Sequence, residues 1–218
     1  SKLSKEITVA AKMGMPDPDQ NARLRSAIQV AKAASFPREN IERAIKKSSD
    51  KAMDSFEEIR YEGFGPAGTS IIVEALTDNR NRSAADVRAI FQKNGGSFAE
   101  SGSVSHQFIR YGFLKYPSTI SSQDDFFSSA IEAGAEDCLF EDDCFEALCL
   151  PENLSIFYSS LETIFSEPES SGFLWKPSSL VEVTGEKVKT LFNLLDELDD
   201  NEDVQSVFSN YDVSEEDI

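Results

Sequence analysis

Residues Glu62 to Leu76 read EGFGPAGTSIIVEAL, and the fold turns on the segment directly after the glycines. Gly63, Gly65 and Gly68 stand at G-x-G-x-x-G spacing. That spacing cradles a dinucleotide pyrophosphate only where a strand leads in and a helix N-terminus leads out, because the helix supplies free N–H groups and a positive dipole end. Here Thr69 to Leu76 is β-branched and apolar, so a strand is expected after the glycines. A tight Gly-Pro turn feeding a central strand is therefore expected, with a phosphate cradle as the alternative.

Working outward, Ser83 to Asn94 has helical periodicity and Val104 to Arg110 alternates as a strand. Far downstream, Val188, Leu191, Phe192, Leu195 and Leu198 mark an amphipathic helix, and Val204 to Phe208 a final strand. Between them lies a complete second set. Strand Phe113 to Tyr116 leads to a helix over about 123–133, with Ser122 and Asp125 as a capping box, then strand Cys138 to Phe140. After an E-D-D turn come strand Phe145 to Leu150, a helix opening at Pro151 and carrying Leu154, Phe157, Tyr158, Leu161 and Phe165 on one face, and strand Gly172 to Trp175. This β-α-β-β-α-β order is ferredoxin-like. Ahead of everything, residues 2–13, 20–34 and 37–48 read as helices, the last with Pro37 in its first turn. The expectation is an α+β protein: a basic helical domain over 1–56, a discontinuous α/β domain over 57–111 and 184–218, and an acidic ferredoxin-like domain over 112–183 inserted in it. The helical spacing of Leu3, Ile7, Ala10 and Ala11 begins in the first turn, so a segment upstream of Ser1 is expected.

At 218 residues and 40% hydrophobic, the chain is long enough for two or three packed units. No apolar run approaches the roughly 18 residues of a membrane span, and no secretory leader opens the sequence; no membrane partner is expected, and the default compartment is the cytoplasm. Cys138, Cys144 and Cys149 are odd in number and form no C-x-x-C, so buried reduced thiols are expected in place of a disulfide or zinc framework. His106 is the single histidine and is placed on a strand, alternating with Val104 and Phe108 with no Ser or Cys nucleophile beside it in sequence. Catalytic residues, metal and cofactor are accordingly all expected to be absent.

The formal charge of −18 hides a polarity. Residues 1–51 carry 11 Lys+Arg against 6 Asp+Glu, whereas residues 111–218 carry 4 against 25. Such a charge dipole orients a protein on a polyanion, or offers its acidic end to a basic protein. In the third helix Ile41, Ala44 and Ile45 form an apolar face with Arg43, Lys46 and Lys47 opposite; in the second, Arg25 and Lys32 share an expected exposed edge. Lys12 and Arg23 complete the basic set of this unit. After the central strand, Arg80 and Arg82 are expected in a loop before a helix capped by Ser83 and Asp86. There they either contact phosphate or pair internally with Asp78 and Asp86. The stretch ELDDNED at 197–203 lacks the glycine and closing Glu of a calcium loop and reads as a solvated helix end.

The blocks YEGFGPAGT (61–69), ALTDNRNRS (75–83), KNGGS (93–97), GSVS (102–105), IEAGAED (131–137) and NEDVQSV (201–207) together closely resemble the YebC family. That family is also called the translational activator of cytochrome c oxidase family. The resemblance spans essentially the whole chain. It implies three domains, the third inserted in the second, preceded by a further basic arm. It also implies one of two roles: a DNA-binding transcriptional regulator, or a ribosome-associated translation factor, partnered by ribosomal RNA, that relieves stalled synthesis. Basic ribosomal proteins are an expected surface for the acidic half, the mitochondrial matrix the expected compartment in a eukaryote, and an acidic protein-interaction module the third alternative.

Overall fold

The structure, a computed structural model, describes residues 1–51 and 55–214, so the end of the acidic tail at 215–218 lies outside the described residues. Helices α1 (Lys2–Met13), α2 (Ala22–Ala33) and α3 (Arg38–Lys47) open the chain. Their core is Ile7, Ala10, Leu24, Ile28, Ala31, Ile41 and Ala44. Helix α2 begins later than the sequence suggests. Asn21 Oδ1 accepts the Leu24 N–H (3.0 Å) and caps it, and Pro18–Gln20 form a separate 3-10 turn. Pro37 sits one residue outside α3, as its extended cap residue.

Strand β1 (Glu57–Phe64), not expected as a strand, pairs antiparallel with β2 (Ser70–Thr77), setting Glu57 against Thr77 and Phe64 against Ser70. The glycine stretch closes this hairpin. Gly65 N–H donates to Thr69 O (2.8 Å) and Gly68 N–H to Gly65 O (3.2 Å), with Ala67 and Gly68 at φ of 62° and 75°. Both N–H groups are occupied inside the turn and no helix comes after it, so the G-x-G-x-x-G spacing makes a bend. Gly63, inside β1, is glycine for a steric reason. A Cβ there would stand 2.5 Å from Phe91 Cε1 and 2.7 Å from Ser97 O.

Next come α4 (Arg80–Lys93), β3 (Ser97–Ala99), β4 (Phe108–Pro117), α5 (Gln123–Glu132), β5 (Asp137–Glu141), β6 (Cys144–Cys149), α6 (Leu154–Phe165) and β7 (Ser170–Pro177). The chain ends through β8 (Val181–Glu182), α7 (Glu186–Asp200), β9 (Val204–Ser209) and β10 (Tyr211–Asp212). The first sheet has the order β3-β1-β2-β9. Ile71, Val73 and Ala75 of β2 face Val87 and Phe91 of α4 and Val188, Leu191, Leu194 and Leu198 of α7. Ile72 on the reverse face meets Val104, Phe108, Phe64, Trp175 and Phe208. Burial on both faces is why β2 carries apolar residues at successive positions, Ile71 to Val73 and Ala75 to Leu76, instead of alternating.

The second sheet has the order β5-β6-β4-β7. In chain order that is second, third, first, fourth, the ferredoxin-like arrangement. Its core is aromatic: Tyr116, Phe126, Phe145 and Phe157, with the Phe126 and Phe145 rings stacked at 4.7 Å. The E-D-D turn places Asp142 and Asp143 at φ of 50° and 57°, the doubly left-handed geometry of a tight hairpin.

Two strand expectations change. Ser105–Gln107 is a 3-10 turn, so His106 is not on a strand; the strand starts at Phe108 and runs unbroken to Pro117, merging two expected pieces. The turn is anchored at Gln107, whose N–H donates to Val104 O (2.9 Å), whose carbonyl accepts from Ser178 N–H (2.8 Å), and whose Oε1 accepts from Ser70 Oγ (3.0 Å). The described residues form two compact units, one joining Ser1 and residues 3–51 to Arg110–Leu174, the other grouping Lys2 with the stretch that ends at Ile109 and the one that begins at Trp175.

Candidate nucleic-acid interface

Helix α3 presents the basic stripe because its other side is fixed. Ile41 and Ala44 are buried, and Thr8 of α1, itself buried, bonds its Oγ1 to Ala44 O (3.0 Å) and Ser4 O (2.9 Å). At 100° per residue this turns Arg43, Lys46 and Lys47 outward, and all three are exposed. None of them has an ion-pair partner among the described residues, and neither does exposed Lys32 in the last turn of α2. Lys46 and Lys47 also lie over the C-terminal carbonyls of α3, where cations are favoured by the helix dipole. Arg38, on the same helix, is engaged with Glu42 at 2.8 Å.

The remaining basic residues of this unit have other work. Arg23 Nε donates to Glu6 Oε1 at 2.8 Å and its Nη1 reaches Met13 Sδ at 3.7 Å. Arg25 does not share an exposed edge with Lys32. It stacks over the Tyr158 ring at 5.1 Å, stands 3.6 Å from Glu167 and bonds Pro18 O at 3.4 Å. Beside it, Ser26 Oγ donates to Ser171 O (2.7 Å) and accepts the Ser171 N–H (3.1 Å). Lys12 is exposed in the last turn of α1. The structure thus brings Arg43, Lys46 and Lys47 together and turns Arg23 and Arg25 toward carboxylates.

Arg80 and Arg82 belong to the other unit and are not in a loop. Helix α4 starts at Arg80, capped by Asn79 Oδ1 accepting the Arg82 N–H at 3.0 Å, so Ser83 is a buried residue of the helix interior, not its cap. The Asn79 N–H is itself held by Thr77 Oγ1 (3.1 Å), which selects that position for the cap. Arg80 lies 3.9 Å from Glu57 and is largely exposed. Arg82 Nη2 bonds Asp203 Oδ2 (2.9 Å), Asp78 Oδ1 (3.0 Å) and Thr77 Oγ1 (3.4 Å). The Asp203 hydrogen bond, then that of Asp78, raise the Arg82 pKa further above its ordinary value. Asp199, Asp200 and Glu202 of the ELDDNED stretch are exposed, whereas Asp203 is buried; sequence spacing gave no sign of this partner.

All three cysteines are free thiols; Cys149 is buried, whereas Cys138 and Cys144 are half-buried. Burial pushes the Cys149 thiol up to about 11, helped by the carboxylates of Glu136 and Glu152. No group of three or more His, Cys, Asp or Glu side chains among the described residues has metal-site geometry. No helix among them is long and apolar enough to cross a membrane.

Comparison with known proteins covers nearly the whole chain. A family model described as the TACO1/YebC protein N-terminal domain matches residues 1–51, and one described as the TACO1/YebC second and third domain matches residues 56–211. A probable transcriptional regulatory protein of Maricaulis maris (strain MCS10) is 48% identical over 224 residues, spanning 100% of this chain and 88% of that protein. The crystal structure of a conserved hypothetical protein from Aquifex aeolicus superposes with a TM-score of 0.86 at 40% identity, covering 98% of this chain and 89% of that one.

Proposed function

The chain belongs to the TACO1/YebC family, and from that premise we propose that it regulates gene expression by docking on nucleic acid, without catalysis. The reading adopted is a cytoplasmic DNA-binding transcriptional regulator, in keeping with the name of the Maricaulis maris relative. The observation that carries it is the outward row Arg43, Lys46 and Lys47 on α3, with Lys32 as a fourth cation free of carboxylate partners among the described residues. Cations left without protein partners exchange bound counterions for phosphates, which favours non-specific backbone contact. Base readout has less support, because α3 lacks the compact Arg/Asn/Gln row that enters a major groove.

A second reading is a translation factor seated on the ribosome. It is favoured by the 4 Lys+Arg against 25 Asp+Glu of residues 111–218, a charge that bare duplex repels and basic ribosomal proteins attract. Titration with random-sequence duplex over a series of salt concentrations tests phosphate docking. Log affinity should fall linearly with log salt, by about 0.9 per phosphate contact. A flat response sinks the proposal, and co-sedimentation with ribosomes but no duplex affinity would move the function to the second reading.

A further inference from the structure

Among the described residues, strand β9 is an edge of the first sheet and pairs with β2 alone. Asn210 N–H donates to Ser70 O (3.3 Å), and because an antiparallel ladder alternates, Phe208 and Ser206 also turn their backbone groups to β2. Val207 and Ser209 turn theirs outward. Those two residues line a cleft of about 230 Å³ together with Leu195, Asp196 and Asp199 of α7 and with Tyr211. Leu195 and Val207 supply apolar wall, and the Tyr211 ring is held edge-on to Phe192 at 5.6 Å. Ser209 Oγ is enclosed there without a hydrogen-bond partner among the described residues, as is Gln205 Nε2 further along the strand. Asp196 and Asp199, one helical turn apart, are exposed along the rim. Lys2 Nζ, grouped with this unit, lies 3.9 Å from Asp199 Oδ1.

We propose that this cleft receives an extended segment of a basic partner protein, which adds to the sheet beside β9. Its backbone pairs with Val207 and Ser209, and its alternate Lys or Arg side chains lie over Asp196 and Asp199. Strand addition fits because alternate residues of an added strand point to the same face, here the side of α7. The two carboxylates select the occupant. They repel phosphate, so nucleic acid is excluded from this edge. A second copy pairing β9 with β9 would bring its own Asp196 and Asp199 toward these, which opposes self-pairing. A cationic strand meets neither obstacle.

The test is fluorescence anisotropy of the full chain with a labelled peptide of alternating lysine and valine. Comparison peptides replace lysine by glutamate, or keep the lysines and N-methylate alternate backbone amides. Three protein variants accompany them. Asp196→Lys with Asp199→Lys reverses the rim; Val207→Pro blocks the edge by removing an outward N–H, and Val207→Ala, which keeps that N–H, controls for the lost apolar side chain. The lysine peptide should bind; rim reversal, Val207→Pro and each altered peptide should weaken binding by about tenfold or more, and Val207→Ala should weaken it less. Equal binding of the N-methylated peptide, or an affinity untouched by rim reversal, overturns strand addition. So does a dimer by sedimentation that rim reversal abolishes, since the occupant would then be a second copy. Should Val207→Pro fail to fold by circular dichroism, the rim variant decides. Lys46→Gln with Lys47→Gln should leave peptide binding unchanged, so the outcome is independent of whether α3 docks on nucleic acid.

Discussion

Arg82 Nη2 lies 2.9 Å from Asp203 Oδ2, joining the first turn of α4 to the turn that precedes β9. The two ends of this contact are 121 residues apart in the chain. Asp203 also accepts from Thr77 Oγ1 at 3.1 Å, and Leu76 N–H donates to Asp203 O at 2.7 Å, so one buried aspartate ties the end of β2, the start of α4 and the approach to β9.

Replacing Asp203 by alanine therefore removes a buried acceptor from both the Thr77 hydroxyl and the Arg82 guanidinium, leaving Arg82 with Asp78 as its carboxylate partner. Thermal unfolding should show a Tm lower by several degrees, with Arg82→Lys intermediate because an ammonium cannot hold both carboxylates in a fixed fork. Duplex affinity should change little. An Arg82→Ala protein of unaltered Tm but much reduced affinity would return Arg82 to the phosphate-binding set.

The α3 stripe predicts a graded electrostatic series. Arg43→Gln, Lys46→Gln and Lys47→Gln should each reduce the salt slope of nucleic-acid binding by about 1, while staying within roughly 0.5 kcal/mol of the parent in stability. Arg23→Gln should do the opposite, losing stability through Glu6 with the slope unchanged. Salt titrations paired with urea unfolding read both quantities.

At Gly63 a methyl group has nowhere to go. Phe91 could rotate away, but the Ser97 carbonyl oxygen is backbone and cannot. Gly63→Ala should destabilise by about 2 kcal/mol or more. Pairing it with Phe91→Leu should recover only part of the loss, and full recovery in urea unfolding would show that the ring alone sets the constraint.

The pH dependence runs through a thiol. Burial raises Cys149 from its ordinary 9.0 to about 11, so the folded state holds this proton more tightly than the unfolded one. The contribution is whole below pH 9 and is lost as pH climbs toward 11. Burial raises Tyr116 too, steepening the decline at the alkaline end. Tm should fall across that window and fall less in Cys149→Ala. In native protein at pH 8, alkylation with a mass-spectrometric readout should find Cys149 protected relative to half-buried Cys144.

Local sequence reveals an element when the partners that decide it lie nearby in the chain. Helix α3 was legible because ten consecutive residues carry both faces of its pattern, and α6 because Phe157, Tyr158 and Leu161 recur at helical spacing. Strand β1 was hidden: Glu57, Glu58 and Arg60 load its exposed half with charge, and its strand character comes from eight residue pairings with β2. Asn79 and Ser83 are equally good caps in isolation, and the choice falls to Thr77 Oγ1, which holds the Asn79 N–H. Pairing of Arg82 with Asp78 was legible locally, four residues away, whereas its second carboxylate, Asp203, is brought to it only by the sheet. The ferredoxin-like order was legible because each of its elements carries its own periodicity.

The place of β9 beside β2 has a consequence for biosynthesis. Strand β2 leaves the peptidyl-transferase centre well over a hundred residues ahead of its neighbour, and α7, which roofs it, also emerges late. Through most of translation the nascent chain therefore carries an apolar strand with one bare flank, a template for intermolecular pairing. Truncation before Val204 leaves that flank permanently unguarded, so a chain terminated there should aggregate where one terminated beyond Ser209 should not.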